Sequence, residues 1–91
     1  KLDPVANAAR LAADRILAYI ATLPADKRGG TLSTTANLIR PNGATWLNSQ
    51  AVLELRSGAA PGESLKASLA ALIANSYANM LMNLVPRPRV E

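Results

Sequence analysis

The chain has 91 residues and a mass of 9.5 kDa, and it contains no cysteine, histidine or phenylalanine. Ten Lys/Arg against six Asp/Glu leave a formal charge of +4. These counts exclude a disulfide framework, zinc, iron or copper held by cysteine or histidine, imidazole acid–base chemistry and thiol nucleophiles.

A chain this short supports one domain, residues 1–91, and area scaling lets it bury roughly 63% of its unfolded surface. The hydrophobic share is 49%, yet the aromatic residues are only Tyr19, Trp46 and Tyr77. Alanine and leucine dominate, which favours close helix packing over bulky aromatic contacts. The charge is thinly spread, with Lys27-Arg28 the longest basic run. The sequence begins at Lys1, which fits a processed N-terminus or a segment of a longer protein. No charged n-region followed by an apolar h-region is visible, so the sequence either carries no signal peptide or has already lost one.

The first predicted element is a helix over residues 3–23. Asp3 caps it and Pro4 suits its first position. At about 100° per residue, Val5, Ala8, Ala9, Ala12, Ala13, Ile16, Tyr19, Ile20 and Leu23 share one arc, with Asn7, Arg10, Asp14 and Arg15 opposite. Leu11 departs from this pattern, and Pro24 ends the helix. Residues 24–30 read as a polar loop carrying a double glycine.

Residues 31–56 read as a β-hairpin. Arg40-Pro41-Asn42-Gly43 has the chemistry of a tight turn with glycine at a left-handed position. After it, Leu47, Ser49, Ala51, Leu53 and Leu55 alternate with mainly polar neighbours, the two-residue period of a strand. Before it, residues 31–39 are rich in threonine and other residues favoured in strands. The competing reading is a helix over 45–57, capped by Thr45 and stopped by Gly58, because Leu47, Ala51 and Leu55 also fall four apart.

A second loop covers 57–62, and a long helix is predicted over 61–85, followed by a short tail, 86–91. Between Ser64 and Val85 the only charged residue is Lys66. Leu65, Leu69, Leu72, Ile73, Tyr77, Met80, Leu81 and Leu84 form a large-residue face. Ala67, Ala71, Ala74, Ala78 and Val85 form a small-residue face. A helix apolar on nearly all sides needs more cover than one helix and one hairpin supply. Asn75, Asn79 and Asn83 step four apart beside these faces, either as a solvated stripe or as amides that fix the register of a subunit contact.

No catalytic or metal-ligating constellation is expected. The acids Asp3, Asp14, Asp26, Glu54, Glu63 and Glu91 are never closer than nine residues, so there is no calcium loop and no paired-carboxylate spacing. Gly29-Gly30 lacks the spaced glycines and lysine of a phosphate-binding loop. Ser64 and Ser68 each lie two residues from Lys66, a spacing at which helical side chains do not face one another. Nucleic-acid contact would draw on Lys27, Arg28, Arg40, Arg87 and Arg89, with Trp46 stacking on a base.

The expectation is an α+β subunit: amphipathic helix, central hairpin and long C-terminal helix. The alternative fold is all-α with three to four helices. The expected role is structural, as a self-assembling component of a particle or filament such as a virion, tail or pilus-like assembly. It would use no cofactor, and a virion or extracellular setting is favoured. Its partners would be copies of itself, with contacts through Ala67, Ala71, Ala74, Ala78, Asn75, Asn79 and Asn83, and other subunits of a larger assembly. The alternatives are a small basic nucleic-acid-binding or regulatory module, and an accessory subunit of a larger, membrane-associated complex.

Overall fold

A computed structural model describes residues 3–84, with side chains through residue 79. Four α-helices follow in order: α1 (Pro4–Ala21), α2 (Ala25–Ile39), α3 (Ser49–Arg56) and α4 (Glu63–Leu84), with a 3-10 turn at Gly43–Trp46. There is no strand among the described residues, so the fold is all-α and the expected α+β class and β-hairpin are incorrect.

Helix α1 begins as its sequence dictates. The Asp3 carboxylate accepts the backbone N–H groups of Val5 and Ala6 at 3.1 and 3.2 Å, and Pro4 occupies a position whose N–H would be unpaired anyway. Its end is finished by the next helix. The Arg28 guanidinium donates from Nε to the Leu23 carbonyl at 2.9 Å and from Nη2 to the Ala21 carbonyl at 3.0 Å. One side chain thus satisfies two carbonyls that lie beyond the reach of the helical ladder.

The expected polar loop at 24–30 is the opening of α2. Pro24 stands at its N-cap, and Asp26 adds a favourable negative charge to the first turn. Gly29 fits inside the helix because the Arg56 stem packs over it; an added Cβ would lie 3.1 Å from Arg56 Cγ. The threonines that suggested a strand are accommodated in helix, with the Thr35 hydroxyl bonding back to the Thr31 carbonyl at 2.8 Å. Burial of Leu32 and Ala36, with Ile39 packed against the core, shows helical spacing.

The turn at 40–43 exists, with the Gly43 N–H donating to the Arg40 carbonyl at 2.9 Å, but it joins two helical elements. Asn42 takes the left-handed conformation, at φ 59°. Gly43 is required for another reason: a Cβ there would lie 1.9 Å from the Ala36 carbonyl oxygen. The Ala44 N–H donates to Asn37 Oδ1 at 2.9 Å and fastens the turn to α2. Helix α3 is capped by Asn48, whose Oδ1 accepts the Ala51 N–H at 3.1 Å, and Gly58 at φ 96° lies just past its end. Thr45 sits within the 3-10 turn and does not cap α3.

The core gathers one stripe from each helix. Ile20, Leu32, Leu55, Leu65, Leu69 and Leu72 are fully buried, joined by Leu17 and Leu47. Burying each such side chain contributes about 1.5–3 kcal/mol relative to leaving it in water. Helices α1 and α4 run antiparallel: Leu17, Ala18 and Ala21 lie beside Pro61 and Lys66, whereas Pro4 and Val5 lie beside Ile73 and Tyr77.

Candidate interaction surface

Helix α4 has neighbours on three sides. Toward the core it buries Leu65, Leu69 and Leu72, and its Ser76 hydroxyl donates to the Ile39 carbonyl of α2 at 3.0 Å. Toward α1 it presents Lys66 and Ile73. Lys66 Nζ lies 3.3 Å from Asp14 Oδ1 and 3.5 Å from Glu63 Oε2, and Arg10 pairs with Glu63. The hydrogen bond to Asp14, and then the charges of Asp14 and Glu63, hold the Lys66 ammonium above the ordinary lysine value of 10.5. Toward the turn and α3 it presents Ser64, bonded by Asn48 Nδ2 at 2.9 Å, and Asn75, which accepts from the Arg40 guanidinium.

Among the described residues, nothing covers the fourth side. Ala67, Ala71 and Ala78 are exposed and Ala74 is half-buried. At about 100° per residue, these four occupy the quadrant left over after the core, the α1 side and the turn side are assigned. The asparagines do not share it. Asn75 is half-buried, and its oxygen also receives a long 3.4 Å bond from Asn79 Nδ2. The side chain of Asn83 lies outside the described residues.

An apolar groove of about 310 Å³ adjoins this quadrant, lined by Pro4, Val5, Ala8, Ala9, Ala12, Ile73 and Tyr77. It arises because the apolar arc of α1 is wider than its neighbours. The buried positions are Ala9, Ala13, Leu17 and Ile20, so Ala8 and Tyr19 at the edge of the arc remain exposed. On α4, Tyr77 stands between the groove and the alanines and keeps 43% of its surface open. No charged side chain lines the groove, and none occurs in the sequence from residue 67 to 84.

The positions considered for nucleic acid are not gathered together. Arg28 is engaged with the α1 carbonyls, while Arg40 bonds Asn75 and lies 5.6 Å above the Trp46 ring. Lys27 is exposed near the start of α2, about 20 Å along the helix from Arg40 at 1.5 Å per residue. Arg87 and Arg89 lie outside the described residues. Trp46 closes the 3-10 turn with 39% of its surface exposed, so it packs against a cation and not within a hairpin.

Among the described residues there is no group of three or more acids that could hold a metal ion, and no helix long and apolar enough to cross a membrane. Comparison with protein-family models, curated proteins and solved structures finds no match.

Proposed function

We propose that this chain is a structural, self-associating helical subunit, a building block of a homo-oligomeric assembly with no catalytic role. The supporting observation is the uncovered side of α4, where Ala67, Ala71 and Ala78 are exposed beside a groove lined wholly by apolar residues and Tyr77. Contiguous apolar surface without interspersed charge marks a contact site more often than scattered exposed side chains do. The fold itself rests on other residues, because the buried leucines of α4 lie on a different face. The outer face is therefore free to change partners without dismantling the core.

A basic nucleic-acid-binding role has less support. Two of its expected cations, Arg28 and Arg40, already hold protein groups, and the remaining described one, Lys27, lies far from Trp46. A phosphate track needs several cations along one path.

Molar mass measured by light scattering over a concentration series, at low and high salt, tests the proposal. The expected result is a mass above the 9.5 kDa chain that is kept or raised at high salt, since burial of apolar surface is not screened by ions. A mass of one chain at every concentration and both salts overturns it.

A further inference from the structure

We propose that Arg40, Asn75, Asn79 and Trp46 form a binding site for one small oxyanion, a phosphate or carboxylate, carried on a planar ring. The site lies where α4 meets the 3-10 turn and does not depend on self-association. Among the described residues three cations are half-buried: Arg28, Arg40 and Lys66. Their partners differ. Lys66 has the carboxylates of Asp14 and Glu63, and Arg28 has two main-chain carbonyls. Arg40 has neither. One of its five N–H groups, on Nη1, bonds the Asn75 amide oxygen, and that oxygen also receives Asn79. A cation drawn partly out of water with so little negative counterpart is stabilised by an incoming oxyanion.

The sequence withholds the missing charge. No acid occurs between Asp26 and Glu54, or between Glu63 and Glu91, and these are the two stretches that meet at Arg40. Asp26 lies about 20 Å back along α2 at 1.5 Å per residue. The guanidinium is nevertheless held in place. The Arg40 main-chain N–H donates to the Ala36 carbonyl at 3.2 Å, and its carbonyl receives the Gly43 N–H at 2.9 Å. The side chain is held between Asn75 and the Trp46 ring, whose centroid is 5.6 Å from the guanidinium carbon. An arginine resting on an aromatic ring still offers its N–H fork to a carboxylate or phosphate, and a fixed fork binds at a smaller ordering cost.

The neighbours of Arg40 define the rest of the ligand. Trp46 keeps 39% of its surface open, so a flat ring attached to the anion can lie against the indole. Asn79 is exposed beside Asn75 and brings a further amide donor. One such cation suits a single small anion, whereas nucleic acid needs a track of them.

The probes are phenyl phosphate, benzoate and inorganic phosphate, added to the full chain at constant ionic strength. Binding is followed by titration calorimetry and by the NMR signal of the Trp46 indole N–H, the single indole in the chain. The expected result is saturable binding of a ring-bearing probe that moves the Trp46 signal, with inorganic phosphate about tenfold weaker or more. Tighter phenyl phosphate assigns a phosphate ligand, and tighter benzoate assigns a carboxylate. Arg40→Gln should lower the affinity by about tenfold or more. Asn75→Asp places a carboxylate beside Arg40 and should block the probe by a similar factor with helix content kept in circular dichroism, so it decides the matter if Arg40→Gln loses helix. No saturable binding, a Trp46 signal that does not move, or unchanged affinity in either folded variant overturns the site. Equal affinity for phenyl phosphate and inorganic phosphate overturns the ring contact with Trp46.

Discussion

Replacing Gly43 by alanine tests how the 3-10 turn is seated on α2. The new Cβ would sit 1.9 Å from the Ala36 carbonyl oxygen and 2.7 Å from its carbon, whereas real Cβ contacts are essentially never under 3.0 Å. Both atoms belong to helical backbone, so no side chain can rotate away, and the turn must lift from α2 by about 1 Å. Such overpacking costs about 1–3 kcal/mol. The same movement stretches the 2.9 Å bond between the Ala44 N–H and Asn37 Oδ1 beyond useful length, which adds about 1 kcal/mol. The total, about 3 kcal/mol, is a large share of the roughly 5–14 kcal/mol expected for a domain of this length. Urea unfolding followed by circular dichroism is the assay. With a slope near 1 kcal/mol per molar, the midpoint should fall by about 2–3 M. A Gly43→Ala midpoint within about 0.5 M of the parent would show that the close approach is not as described. Asn42→Gly is the control: it removes the left-handed strain and should leave the midpoint nearly unchanged.

Leu69→Ala, at a fully buried site, should cost about 2–5 kcal/mol. Leu38→Ala on α2, at 82% exposure, should stay within about 0.5 kcal/mol of the parent, and equal losses in the two melts would contradict the assigned helix faces. Asp3→Ala removes the acceptor for two N–H groups at the start of α1 and should lower stability by about 1 kcal/mol in the same assay, with Asp3→Asn restoring most of it. The raised Lys66 pKa gives stability that is fully present below the ordinary value of 10.5 and is lost as pH rises through the higher folded value. A thermal-melt series should therefore show a decline above that pH that is smaller in Lys66→Met, and identical profiles would remove the role given to Asp14 and Glu63.

The ends of the chain were readable because single residues decide them. Asp3 and Pro4 mark the start of α1, and the leucine spacing of α4 locates its buried face. The middle was not, because several periodicities coexist there. A strand across 47–55 would put Leu47, Ser49, Ala51, Leu53 and Leu55 on one face, yet the protein buries Leu47 and Leu55 and leaves Leu53 55% exposed. The four-residue spacing was present in the sequence and prevailed because Asn48 caps a helix there. In α2, local preference opposed the outcome. Two glycines and a run of threonines disfavour helix, and burial of Leu32 and Ala36 in the tertiary core overrides them. The interaction surface was half legible. An alanine face needing cover follows from the residues of α4 alone, whereas the groove between α1 and α4 emerges only once the two helices are packed together. That Asn75 would accept from Arg40, or that Arg28 would close the end of α1, depends on which helices meet and leaves no trace in spacing.

The stacking of Arg40 on Trp46 gives the molecule a built-in optical gauge. Trp46 is the single indole in the chain, and its cationic neighbour is anchored to Asn75 on α4. Any event that slides α4 against the 3-10 turn must disturb that stack. Emission from one fluorophore therefore tracks the joint between the turn and α4 without an added label.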